Sequence, residues 1–381
     1  MAFRTAVLAL LLVVSAVGAA AAPAATQEAE GEAYSGAFVE FDATGAAVSD
    51  YAVDGTVVVE NVSMQSASEA GGVLDAGLSS VTSVDAAGLS VDSRTSGATV
   101  TSESGAKMEA SDNQRGVVQV RADGESQVVH ASVDGEARSE SDSRVVVSGD
   151  DGTQGTFLVV GDGEATVNEE GDVVARVDGD GQLVYRQYNG ERSEEDGEQE
   201  RMIQDGTATA EVYVHSAAES GSESGGEAET EGTSVVEYGQ DTTVEVQERS
   251  ESRINMTAER TERQGKVIIT TVSDEAFGSA DDTEVFVDGE AAAEANSYGE
   301  VQQATRDGDN SRYLVRQSSS AEASSDVVVG VNHFSERQIS MQSDGDTDDD
   351  GGLSDADGPG FGALAAIAAL GGALVALRRR A

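Results

Sequence analysis

Calcium binding is the first chemistry that residue types and spacing suggest. In the run from Asp346 to Asp357, Asp346, Asp348 and Asp350 stand at positions 1, 3 and 5 of a twelve-residue loop. Alternating carboxylates of this kind suit a hard cation that takes all its ligands from oxygen. Gly351 supplies the sharp turn at position 6, Gly352 a backbone carbonyl at 7, and Leu353 an apolar contact at 8. Ser354 and Asp357 fall at 9 and 12, where a bidentate Glu is the usual residue, and no helix pattern flanks the loop. The competing reading is a hydrated acidic stalk over 343–358. Two N-x-S/T sequons, Asn61-Val62-Ser63 and Asn255-Met256-Thr257, offer amide nitrogens for glycosylation in an exported chain. His130, His215 and His333 are widely spaced and fit no metal motif. Carboxylates are so abundant that no hydrolytic pair stands out, and phosphate-binding and dinucleotide fingerprints are missing. A non-enzymatic protein without a resident cofactor is expected, with calcium the one candidate ion.

Composition bounds the alternatives. The chain has 381 residues with 71 acidic and 23 basic side chains, a net charge of −48. Lys107 and Lys266 are its only lysines. Such a surface repels itself at low ionic strength. In molar salt the Debye length shrinks to about 3 Å and the repulsion is nearly silenced. Excess carboxylate with scarce lysine therefore reads as adaptation to brine, the pattern of a halophilic protein. Nucleic acid is excluded as a partner, because phosphate binding needs a basic face. Cysteine is absent, which rules out disulfides and thiolate metal sites.

The two ends read as addresses. Arg4, the apolar run from Ala6 to Val17 and the small residues Ala19 to Ala25 make a secretory signal peptide over 1–25. At the other end Pro359-Gly360-Phe361 precedes an apolar run from Gly362 to Leu377, and Arg378, Arg379 and Arg380 close it. The run is long enough for a short transmembrane helix, and the arginines place the tail inside the cell. Pro-Gly-Phe, a short apolar helix and an arginine cluster, in that order, resemble the PGF-CTERM sorting signal of haloarchaeal surface proteins. The resemblance implies that Pro359, Gly360 and Phe361, in the sorting signal and helix over 359–381, are recognised by an archaeosortase, which removes the tail near the motif so that a prenyl-type lipid anchors the new C-terminus. A permanent single-span anchor is the other reading; both leave the body at the outer face of the cell membrane, in the archaeal envelope.

Between these ends the pattern predicts an all-β protein. Short valine-rich runs (Phe38–Phe41, Tyr51–Val53, Val57–Val62, Val117–Ala122, Gln127–Val133, Arg144–Val147, Phe157–Val160, Val173–Val177, Leu183–Tyr188) alternate with Asp-Gly and Asn-Gly pairs. Those pairs favour two-residue hairpins, so an antiparallel meander is expected, as a sandwich or an elongated sheet. Proline, which cannot donate to a β-ladder, is absent between Pro23 and Pro359. Glu191 to Met202 fits a helix but is too polar to hold by itself. Four short matches, beginning with Asp162-Gly163-Glu164-Ala165 and Asp288-Gly289-Glu290-Ala291, suggest a duplication. The expected division is a Ser/Ala/Gly-rich β region over 26–116 (with 66–104 either thin β structure or a flexible arm), modules over 117–215 and 233–342, and a linker over 216–232.

These readings converge on an exported, membrane- or lipid-anchored acidic surface protein of structural or interaction type, associated with the envelope or a surface layer (S-layer). Its expected partners are the membrane, a sortase-type processing enzyme and other envelope proteins. A calcium- or ligand-binding adhesion module is the second reading, and a secreted hydrolase the third.

Overall fold

β-branched residues at alternate positions pack well on a pleated, half-buried surface, and strands dominate the described part of the chain. The structure is a computed structural model that describes residues 32–343, apart from 75–76, 85–87, 104, 123, 217–231, 278–282 and 319–323. The segments over 1–31 and 344–381, including the expected signal peptide over 1–25 and the apolar run from Gly362 to Leu377, lie outside the described residues. Among the described residues no helix is long and apolar enough to cross a membrane.

Among the described residues four sheets form one compact unit. The first runs, in spatial order, Glu32–Ser35, Val39–Thr44, Ala47–Val53, Thr56–Ser66, Gln127–Val133, Val173–Val177 and Gly163–Val167. The second runs Glu136–Ser141, Arg144–Ser148, Gln154–Val160, Gln182–Tyr188, Val118–Arg121, Lys107–Ser111, Gly97–Thr101 and Ser90–Arg94. Thr233–Glu237, Ala208–Val214, Gln264–Ser273, Ser324–His333, Arg312–Gln317 and Ala293–Glu294 make the third. Thr242–Ser250, Arg253–Arg260, Glu336–Ser343, Thr283–Val287 and Glu290–Ala291 make the fourth. Pairing is antiparallel except between Ala208–Val214 and Gln264–Ser273 and between Ala293–Glu294 and Arg312–Gln317.

The apolar side chains sort these sheets into two sandwiches. The first and second sheets close over Phe41, Tyr51, Val100, Met108, Val129 and Phe157. The third and fourth close over Val212, Ile254, Met256, Ile268, Val329 and Met341. A further core joins the sandwiches, bringing Leu158 and Val184 of the second sheet to Tyr213, Ile269 and Val328 of the third. Two helices contribute to this middle layer, Met202 and Ile203 from Glu194–Gln204 and Val301 from Tyr298–Asp307. The sandwich alternative is the one observed.

The Asp-Gly pairs divide the chain in two different ways. Asp54-Gly55 and Asp288-Gly289 have positive φ at both residues, 50° and 75° and then 54° and 80°, and each turns a hairpin as expected. Asp134-Gly135, Asp162-Gly163 and Asp178-Gly179 instead lead from a strand of one sheet to a strand of the facing sheet. Gly163, at φ 153°, brings its α-carbon so close to the neighbouring strand that a Cβ would lie 2.3 Å from the Arg176 carbonyl oxygen. The meander expectation holds in stretches: consecutive strands pair over Glu32–Ser66, Ser90–Arg121 and Glu136–Val160, and between these stretches the chain crosses to the facing sheet.

Edges are tied across the first sandwich. The Val91 N–H donates to Glu32 at 3.0 Å on one side. On the other, the Ala165 N–H donates to the Asp142 carbonyl at 2.8 Å and the Val167 N–H to Ser139 Oγ at 3.1 Å. Such ties and the charged outer strand Glu136–Ser141 leave little open edge for another chain to extend. Part of the region over 66–104 packs Ala70, Val81 and Val84 on the outward Val128 and Val174 of the first sheet. Ser90–Arg94 and Gly97–Thr101 in the same region are strands of the second.

Sheet membership does not follow the expected module boundaries. Strands from before residue 117 enter both of the first two sheets, and Ala208–Val214 pairs within the third. The matches that suggested duplication agree only in part: Arg186-Gln187 and Arg316-Gln317 both lie in strands. Gly171-Asp172-Val173 leads into a strand, whereas Gly299-Glu300-Val301 lies in the first turn of the helix Tyr298–Asp307.

Candidate functional site

The polar helix Glu194–Gln204 leads to the site. Ser193 caps it, accepting from the Asp196 N–H while the Asp196 carboxylate accepts from the Ser193 N–H, a reciprocal capping box. Its sequence is too polar for an apolar stripe along its length, and ahead of the buried Met202 and Ile203 its buried side is polar: Asp196, Gln199 and Glu200 are each 2 % exposed or less. The helix sits between the sandwiches and answers two arginines that are themselves fully buried, Arg115 and Arg186.

Arg186 projects from the strand Gln182–Tyr188. Its Nη2 reaches Glu211 of the third sheet at 2.5 Å and donates to Gln199 Oε1 at 3.2 Å. Arg115 follows the strand Lys107–Ser111, in a buried polar loop. Its Nη1 pairs with Asp196 at 3.3 Å, and its Nη2 pairs with Asp326 of the third sheet at 3.2 Å. Both guanidiniums lie over the Tyr188 ring, Arg115 at 5.2 Å and Arg186 at 5.8 Å from its centre, and Tyr188 donates its hydroxyl proton to Glu200 at 2.7 Å. Arg192 forks onto Glu200 with contacts of 2.6 to 2.9 Å, and Arg144 approaches the same carboxylate at 3.5 Å. Tyr213 and Tyr238 donate to Glu211 at 2.8 and 2.6 Å. Gln199 and Thr271 donate to the two oxygens of Asp326, each at 2.7 Å.

Four arginines thus meet four carboxylates at the joint, and two of the pairs, Arg186–Glu211 and Arg115–Asp326, cross from the first sandwich to the third sheet. Charges taken out of water are tolerated when paired and hydrogen-bonded, and the arrangement supplies both conditions. Burial and the nearby Arg186 pull the Arg115 guanidinium toward losing its proton, but Asp326 and Asp196 more than offset them and its pKa is raised. Burial acts likewise on Arg186, and Glu211 and the surrounding tyrosines carry its pKa well above the ordinary value. Burial drives the Tyr188, Tyr213 and Tyr238 hydroxyls well above the usual tyrosine range; Glu211 reinforces this at Tyr213 and Tyr238. The chemistry of the seam is cohesion: each charge has an opposite partner, though Arg186 Nε is buried without an acceptor, and the pairs fix how the two sandwiches meet.

The loop that carries Arg115 also organises the first sandwich. Asp112, 6 % exposed, accepts from the N–H groups of Ala37, Phe38 and Val39 at 2.7, 2.9 and 2.9 Å. Replacing Asp112 with alanine strands three backbone donors. At about 1–3 kcal/mol for a buried unsatisfied donor, and with water reaching some of them, a loss of about 3 kcal/mol is expected. Urea unfolding of the variant in molar salt measures it, and an unchanged midpoint would contradict this role.

Sequence-predicted site residues fall elsewhere. Asp346, Asp348, Asp350, Gly352, Ser354 and Asp357 lie outside the described residues, as do Pro359, Gly360, Phe361, Arg378, Arg379 and Arg380. Asn61 and Asn255 lie on the outward faces of the first and fourth sheets, each half-buried, with core-facing neighbours Val62 and Met256. His130 contacts Asp172 at 3.1 Å, His215 packs edge-on against Phe38, and exposed His333 contacts Asn332. Among the described residues no group of three or more His, Asp or Glu side chains is placed to hold a metal. The seam was not anticipated. Its signal was Arg186 inside the apolar run Leu183–Tyr188, followed at once by a helix too polar for its length.

An open cleft of about 380 Å³ lies beside the seam, bordered by Glu194, Glu195, Glu198, Ser297, Tyr298 and Arg316. No family model matches the chain, and no curated protein is significantly similar to it in sequence.

Proposed function

We propose that the chain is an exported, acidic cell-surface protein of the envelope, anchored through its C-terminus, whose paired sandwiches act as a structural or interaction module outside the cell. The observation that carries the reading is the order of the terminal segments: a cleavable signal over 1–25, then Pro359-Gly360-Phe361, the apolar run and three arginines at the far end. The charge of −48 with two lysines supports life in brine. The seam supports a mechanical role, since side-chain pairs hold the sandwiches in one orientation. Protease treatment of intact cells tests the address. Digestion of the body without lysis is expected, and protection until lysis would count against it.

Salt response follows from the same charge. The urea midpoint is expected to rise steeply from about 0.1 M to molar potassium chloride, as screening contracts from about 10 Å to about 3 Å. A midpoint independent of salt would contradict a brine-adapted surface.

A second reading, calcium-dependent adhesion, is favoured by the spacing of Asp346, Asp348, Asp350, Ser354 and Asp357. Calcium titration of the full chain in molar salt decides it. Heat and a raised melting point would support adhesion, and neither would remove it.

A further inference from the structure

The outward face of the fourth sheet places the second sequon beside an aromatic ring. Asn255 is paired in register with Ser340, and Ser340 on its other side with Phe286. The flanking residues Ile254, Met256, Ile339, Met341, Val285 and Val287 point into the core. Asn255, Ser340 and Phe286 therefore stand in one row on the outside, all half-buried. Two strand spacings separate the asparagine from the ring, about 10 Å. The asparagine side chain and one pyranose ring bridge that distance, with only the small Ser340 between. The amide nitrogen of Asn255 contacts exposed Glu248, on the strand opposite Ser340, at 2.6 Å, and a glycan there requires the side chain to turn from Glu248 toward Ser340. At Asn61 the row differs: its register neighbours are Ser49 and Ser132, so no ring flanks it directly.

We infer that Asn255 carries an N-linked glycan whose first sugar folds over Ser340 onto Phe286. The inference rests on the proposed export, because the transfer takes place outside the cell. In the transfer, the Asn255 side-chain nitrogen bonds to the anomeric carbon of a lipid-phosphate-linked oligosaccharide. The carbon–oxygen bond to phosphate breaks, the lipid phosphate leaves with the electron pair, and the amide gives up one proton. The C–H face of the sugar then covers an aromatic surface that is otherwise half open to solvent, which removes apolar area from water. The glycan is thereby held flat on the sheet face.

The test uses full-length protein from native membranes, with its N-terminus and the peptides bearing Asn255 and Asn61 read by mass. Hexose-type increments on the Asn255 peptide, lost in Asn255→Gln, are expected on a chain that begins after the signal segment. An unmodified Asn255 on such a processed chain overturns the inference and leaves export standing. A chain still beginning at Met1 overturns export, and the inference with it. The contact is read separately: Phe286→Ala should lower the thermal midpoint more in the glycosylated chain than in the Asn255→Gln background. Equal shifts would overturn the contact.

Discussion

Replacing Arg186 with methionine should lower the unfolding free energy by about 3–5 kcal/mol, the usual cost of removing one partner of a buried ion pair. Glu211 would keep its two tyrosine donors but lose the guanidinium at 2.5 Å, and Gln199 would lose a donor to its Oε1. Methionine fills much of the volume, so the loss reports the stranded charge more than a cavity. Adding Glu211→Gln removes that charge and should recover part of the loss, because glutamine still accepts from Tyr213 or Tyr238. Urea unfolding of the single and double variants in molar salt reads both effects. A single variant as stable as the parent, or a double variant weaker than the single by the full cost of a second site, would contradict the seam's role. Molar salt does not erase the effect, since buried pairs are screened far less than exposed ones.

No tyrosine is expected to ionise at its ordinary value while the fold persists. The chain has eight tyrosines and no tryptophan, so absorbance near 295 nm reports them cleanly. Burial raises Tyr34, with Asp112 adding to it, and raises Tyr51 well above the usual range; it also raises Tyr185. Tyr188, Tyr213 and Tyr238 are held up in the seam. Tyr298 is pushed up to about 12, chiefly by burial, and Tyr313 is raised for the same reason. The sign of the stability change follows. An unfolded tyrosine releases its proton near pH 10 while the folded one retains it, so the unfolded state is favoured increasingly as pH rises beyond about 10. This contribution is complete below that pH and is lost progressively above it. Titration should show little phenolate up to about pH 10 and then a cooperative rise that coincides with unfolding by circular dichroism. A smooth rise centred on pH 10 with the fold intact would show that these hydroxyls are not buried as described.

Much of the strand content was legible because short valine-rich runs are punctuated by Asp-Gly and Asn-Gly pairs. Gln127–Val133 and Val173–Val177 have the bounds that the sequence suggests. Partner choice was not legible. Asp54-Gly55 and Asp162-Gly163 read alike, yet the first joins paired strands and the second leads to the facing sheet. The dipeptide sets only the local backbone, while the destination depends on which distant face remains uncovered. The seam escaped for a related reason. Asp196, Glu200, Glu211 and Asp326 are four acids among 71, and nothing local distinguishes them from solvated ones. Only the fold brings Arg115 to Asp326, 211 residues away. The helix Tyr298–Asp307 was missed because its Gly299, Val301 and Ala304 also fit a strand-and-turn reading of a glycine-rich chain.

The intact mass of the protein extracted from native membranes tests the central claim, export and anchoring at the surface, most directly. The account predicts a chain that lacks the signal segment and the residues beyond about Pro359, and that carries a lipid increment. A chain that retains both Met1 and the stretch from Phe361 to Ala381, with no lipid, would contradict it.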